Sequence, residues 1–217
     1  MTDVLDRTTL EQAAPARSKL KIIDCDIHPG LNSTRELYPF LSQRWQDHLK
    51  NYAVHFRSPF TSTTPYPRSA PLLSRRDAWP PSGRVPGSDL EFMRLQHLDE
   101  LDVEAGILQV LDMIVPSLMN LDFSAAMASA LNDWQVNTWC DREPRLKASI
   151  IVPQEDPAAA IKEIEKRAAD KRFVQVSLLP RVNEPIGRRR YRPIYEAIAA
   201  TGMPVGMHVG GQGGHAP

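Results

Sequence analysis

The sequence predicts an α/β chain folded as part of a parallel (β/α)₈ TIM barrel, and three observations carry that expectation. Short apolar runs alternate with helical periodicity in the order β, α, β, α, β, α, β, α, β. The runs are nearly continuous in apolar residues, as parallel strands covered on both faces are. Residues able to do chemistry stand at the C-terminal ends of runs, where parallel barrels keep their active sites. The alternation also suits a doubly wound sheet, but no Gly-x-Gly-x-x-Gly follows the first run, so a dinucleotide-binding sheet has little support. A closed barrel takes eight strands and about 250 residues. The 217 residues here hold about five runs and stop just after the last, which would leave an unpaired edge. The expectation is therefore the N-terminal part of a barrel, incomplete in this chain.

The first run, 21–29, is Lys-Ile-Ile-Asp-Cys-Asp-Ile-His-Pro. Leu20, Ile22 and Ile23 favour a strand, and Pro29 and Gly30 stop it. Strict alternation would put Asp24, Asp26 and His28 on one face of a buried strand. Two carboxylates and an imidazole are costly there unless something pairs them. A metal ion would remove the cost, and Asp26 with His28 suits Zn²⁺, Mn²⁺ or Fe²⁺. The competing reading is an Asp capping the next turn and a solvated His.

Residues 30–88 read as a long insertion leaving the end of that strand, with one helical piece at 36–50. The remainder is rich in proline: Pro59, Pro65, Pro67, Pro71, Pro80, Pro81 and Pro86. Loops of this length usually serve as lids or binding loops, so a lid over Asp26 and His28 is expected, against a disordered insertion. Ser88 and Glu91 form a capping box for a helix at 88–101, with Phe92, Leu95, Leu98 and Leu101 as its apolar stripe. A strand at 105–111 ends at Asp112. An Ala-rich helix at 124–141 carries Met127, Leu131, Trp134 and Thr138 on one face. A strand at 146–152 stops at Pro153, and Asp156-Pro157 opens a helix that ends near Lys171. A strand at 173–179 stops at Pro180. A helix at 193–201 closes on Gly202, and a last strand at 204–209 carries His208.

Composition narrows the function. Acidic and basic residues balance at 26 each, so neither nucleic acid nor an anionic membrane is an expected partner. Two cysteines, Cys25 and Cys140, form no disulfide framework, which points to a reducing cytoplasm. Residues 1–19 are polar and mixed in charge, and read as a disordered leader. No apolar run is long enough to span a bilayer.

His208 alone reads as a core imidazole. Set beside Asp26 and His28 at the equivalent end of another strand, it becomes a third ligand, and three ligands with an open position suit metal-assisted chemistry. Asp24 reads either as an outer group orienting a ligand or as a carboxylate bonded to backbone at the barrel floor. His48, His55 and His97 lack partners at ligand spacing and read as surface or packing residues. Arg188, Arg189 and Arg190 read as a solvated helix start. Trp45, Trp134 and Trp139 read as core.

The opening Ile-Asp-Cys-Asp-Ile-His-Pro resembles the amidohydrolase-related (amidohydrolase 2) family, which includes enzymes like aminocarboxymuconate-semialdehyde decarboxylase. So do Ala130-Leu131-Asn132-Asp133-Trp134, Arg145-Leu146-Lys147-Ala148-Ser149-Ile150, Phe173-Val174-Gln175-Val176 and Pro204-Val205-Gly206-Met207-His208. The resemblance spans about 21–217. It implies a (β/α)₈ barrel of the metal-dependent hydrolase type holding one divalent ion, Zn²⁺ or Mn²⁺ first, on Asp26, His28 and His208. An acidic first ligand in place of His leans the site toward Mn²⁺ or Mg²⁺. It also implies an acid–base His and Asp on strands beyond Pro217. His215 is too near His208 to come from a new strand, so it is expected, with Asp112, only at a substrate pocket or lid. The implied activity is hydrolysis of a small carbonyl substrate by an activated water. The alternatives are decarboxylation of a small carboxylated substrate, or a fragment acting as a binding module. The family commonly forms homodimers.

Overall fold

The structure is a computed structural model and describes residues 20–52, 75–110, 120–180 and 184–208. Five strands form one sheet in sequence order, all parallel: β1 (Ile22–Ile27), β2 (Val103–Leu108), β3 (Leu146–Ile151), β4 (Phe173–Leu178) and β5 (Val205–Met207). Each connection passes through helix, as parallel neighbours require. In a flat sheet the outer strands of five would stand about 19 Å apart at roughly 4.8 Å per strand. Yet the rings of His28, just after β1, and His208, just after β5, have centroids 4.8 Å apart. The sheet is therefore strongly curled, as an incomplete barrel is.

Burial follows position in the sheet. The central strands β3 and β4 are buried at five of six positions each. β1 differs from the buried strand expected, for Ile22 is 41% and Ile23 62% exposed. It is an edge strand, paired on one side only among the described residues, and β5 at the other edge exposes Met207 likewise.

The helices keep their expected places, with shifts that have local causes. The piece expected at 36–50 is two elements: a 3₁₀ turn, Thr34–Phe40, containing Pro39, and α1, Gln43–Tyr52. Proline lacks the N–H needed to run one helix through. α2 (Leu90–Met93) is capped by Asp89, whose side chain accepts from Phe92 N, and not by Ser88, whose hydroxyl donates to the Val85 carbonyl. It runs on into a π turn, Arg94–Leu98. The widened turn rotates later side chains off the expected stripe, so Leu95 is 71% exposed while Leu98 is buried. The same happens in α3 (Leu121–Gln135), which opens three residues earlier than expected under an Asn120 cap. Its terminal π turn, Val136–Cys140, buries Trp139, as read from the sequence, and leaves Thr138 of the expected stripe only partly buried. α4 (Pro157–Arg167) has Asp156 as cap and Pro157 at its first position, and stops short of Lys171. α5 (Arg192–Thr201) ends on Gly202 at φ 72°, a left-handed conformation that glycine adopts without strain. Arg190 pairs with Glu184 and Glu155, as a helix-entry cation rather than a free anion site.

The core lies between the sheet and these helices. Trp134, Trp139, Met127 and Leu131 pack there, with Trp45 partly buried against it. His48 packs on the rings of Trp45 and Phe123. At the N-terminal end of the strands the Glu143 carboxylate accepts from Arg145 Nε and Arg94 Nε, each at 2.8 Å. Arg145 first, then Arg94, holds the Glu143 carboxyl down at about 2. Glu143 is buried, so its charge contributes stability in full above the unfolded value near 4.5, and that contribution is lost as pH falls toward about 2. The gap corresponds to about 3 kcal/mol. Wild type should therefore lose stability faster than Glu143→Gln over that window when urea unfolding is followed against pH. Parallel losses would assign the acid sensitivity to other groups.

Candidate metal centre

Local structure at the end of β1 sets the site. β1 does not keep strict alternation. Asp24 lies opposite Gly106 and Ile27 opposite Leu108, with a register shift between, so three steps of β1 face two of β2. Such a bulge re-aims side chains, often beside active sites. Asp24 stands outside the group that Asp26 forms with His28 and His208, and it bonds to backbone, one of the two readings its sequence position offered. Its Oδ2 lies 2.7 Å from His97 Nε2 and its Oδ1 accepts from Asp26 N at 2.9 Å. His97, read from the sequence as partnerless, is thus bonded to β1.

Asp26, His28 and His208 do come together. One ligand atom from each lies within 4.8 Å of the others. Asp26 Oδ1 is 3.6 Å from His28 Nε2 and 3.4 Å from His208 Nε2. Donors about 2.1 Å from one ion stand roughly 3.0–3.4 Å apart for octahedral or tetrahedral angles, so the two contacts that Asp26 makes are close to those a shared divalent ion requires. His28 Nδ1 lies 2.9 Å from the Gln109 carbonyl oxygen. A carbonyl only accepts, so Nδ1 carries the proton and Nε2 presents its lone pair, the arrangement usual for ligating imidazoles. His208 Nδ1 is buried without a hydrogen-bond partner among the described residues. Two imidazoles and a carboxylate match the borderline-to-hard chemistry of Zn²⁺ or Mn²⁺.

The chain packs closely around His28. Gly87, at φ 74°, approaches so near that a Cβ there would lie 2.0 Å from the His28 carbonyl oxygen, and its own carbonyl accepts from Gly30 N. Only glycine meets both demands. A cleft of about 630 Å³ runs along the β1 edge, lined by Asp24, Asp26, Phe92, His97 and Glu100 among others. A polar layer also lies beneath the site, between strands: Ser177 Oγ donates to Gln109 Oε1, and Gln175 Nε2 donates to Ser149 Oγ. The Gln175 amide fills the space a Cβ at Gly206 would take. The sequence signal for this layer was polar residues inside apolar runs, as in Leu108-Gln109-Val110. Asp112 and His215 lie outside the described residues. Cys25 is exposed, while burial pushes the Cys140 thiol up to about 12, which leaves it inert as a nucleophile.

Fold and site together define a class: a parallel-barrel protein with a candidate metal centre at the C-terminal ends of its strands. The chain belongs to the amidohydrolase family, whose model, described as Amidohydrolase, matches residues 23–217. No curated protein matches it. Among solved structures it is similar to 5-carboxyvanillate decarboxylase from Sphingomonas paucimobilis, with TM-score 0.60 and 20% identity over 88% of this chain and 52% of that one. It is also similar to the 5-carboxyvanillate decarboxylase of Novosphingobium aromaticivorans with bound manganese, at TM-score 0.59 and 18% identity over 87% and 50%. A third is 2,6-dihydroxybenzoate decarboxylase from Rhizobium, at TM-score 0.51 and 23% identity over 56% and 40%. At these identities the likeness is one of fold. The chain spans about half the length of these structures or less. No helix among the described residues is long and apolar enough to cross a membrane.

Proposed function

We propose that this chain carries the metal-binding part of a metal-dependent carboxy-lyase acting on a small hydroxylated aromatic acid. The observation that carries the metal reading is the convergence of Asp26, His28 and His208 from the two outer strands of the sheet. Decarboxylation is preferred over the hydrolysis that the sequence put first because the three structures named above, which it resembles in fold, are decarboxylases, one of them with bound manganese.

A divalent ion held there would supply positive charge for binding and orienting an anionic substrate. The chain's own residues set the rest. Gln109 fixes the His28 tautomer and leaves Nε2 free for binding. Gly87 lets the loop close on His28 without displacing it. The polar layer of Gln109, Ser149, Gln175 and Ser177 supports the strand ends from below.

The test uses Mn²⁺ bound to the purified chain. Adding 2,6-dihydroxybenzoate should change the Mn²⁺ electron paramagnetic resonance spectrum, whereas an aromatic lactone of similar size should not. The opposite preference would return the reading to hydrolysis.

A further inference from the structure

We infer that His97 is a positioning residue for Asp26, acting through Asp24. The inference rests on the metal reading of Asp26, His28 and His208. The bulge in β1 takes Asp26 out of register with β2, so the strand ladder does not set its peptide. The Asp24 side chain holds it instead, through the hydrogen bond from Asp26 N to Asp24 Oδ1 at 2.9 Å. A carboxylate used in this way could turn about its own bonds, but its second oxygen is fixed by His97 Nε2 at 2.7 Å. Both oxygens of Asp24 are therefore committed, one to the helix and one to the backbone of a ligand. The partner is supplied by a special feature, the π turn Arg94–Leu98, which carries His97. Such turns recur at functional sites. The chain of contacts thus runs from helix to carboxylate to the peptide of Asp26, whose Oδ1 faces both imidazoles. An ordinary surface hydrogen bond would touch nothing further. This one ends on the residue that aims a donor atom into the cluster.

The test is Mn²⁺ affinity of the full chain, read by electron paramagnetic resonance titration alongside circular dichroism melting. His97→Leu should weaken Mn²⁺ binding about tenfold, the lower end of the range for groups that orient metal ligands. His97→Gln, whose amide N–H can reach Asp24, should stay within about threefold of wild type. Asp24→Ala should weaken binding at least as much as H97L, and the double variant should be no weaker than Asp24→Ala alone, because both cut one chain of contacts. Wild-type affinity in H97L, or additive losses in the double variant, would overturn the inference while leaving the metal site standing. Should H97L not fold, Asp24→Ala decides by the same measure, and wild-type affinity there overturns it. A wild-type chain that binds no Mn²⁺ overturns the metal reading and this inference with it.

Discussion

Replacing His28 or His208 by alanine is expected to weaken Mn²⁺ binding by more than about 100-fold, beyond what loss of an outer supporting group costs. Each imidazole offers one of three donors, and two donors cannot enclose an ion. Asp26→Ala should do the same, because its Oδ1 is the atom common to both short contacts, at 3.6 and 3.4 Å. The loss should be one of binding and not of folding. All three side chains sit at the open end of the strands and none belongs to the hydrophobic core, so the metal-free variants should unfold within about 1 kcal/mol of wild type. Melting gives a second readout. An ion present at 100 times its dissociation constant stabilises the folded state by about 2.7 kcal/mol. Mn²⁺ should therefore raise the wild-type melting temperature and leave His28→Ala and His208→Ala unmoved. An equal rise in all three would place the ion elsewhere on the protein and dismiss these ligands.

What the sequence disclosed and what it withheld divide along physical lines. Periodicity found every described strand and the helices between, because burial on the sheet imposes it. It named Asp26, His28 and His208 as one group from their places at strand ends, and the structure brings one donor atom of each within 4.8 Å of the others. It missed three things that depend on local geometry. The bulge in β1 arises from register with a strand about 80 residues away, so Asp24 was assigned the face of its neighbours and His97 no partner at all. The π turns at Arg94–Leu98 and Val136–Cys140 each shift a helix face, which no fixed 3.6-residue stripe anticipates. The Gly87 contact with His28 joins a proline-rich stretch to the site through a backbone atom, and backbone contacts leave little trace in residue type. Edge exposure of Ile22 and Ile23 was misread for a related reason. An apolar run shows that a strand can be buried, and only the sheet order shows what stands beside it.

The resemblance motif Ala130-Leu131-Asn132-Asp133-Trp134 acquires a physical role that its letters alone do not reveal, and that role sets the largest expected effect on stability. Asn132 is fully buried on α3. Its Nδ2 donates to the Ile151 carbonyl and to Glu163 Oε1, both at 2.9 Å, and its Oδ1 accepts from Ile151 N at 2.9 Å and from Gln135 Nε2 at 3.1 Å. One side chain thus ties α3 to the end of β3 and to α4. Asn132→Ala removes all four bonds at once. Glu163 keeps Arg167 and Gln135 keeps the Ser149 carbonyl, but the side-chain cap on both main-chain groups of Ile151 disappears. At about 1–3 kcal/mol for each buried group left unpaired, the loss should be about 4 kcal/mol, a large part of the stability of a small domain. The urea midpoint should fall with an unchanged slope. Asn137→Ala, which removes one exposed side-chain bond to the Asp133 carbonyl, should move it by less than about 0.5 kcal/mol. Because Asn132 touches none of Asp26, His28 and His208, Mn²⁺ affinity measured well below the midpoint should stay within about threefold of wild type. A loss under about 1 kcal/mol would mean that water replaces the amide at Ile151, and the motif would then owe its presence to something other than this clamp.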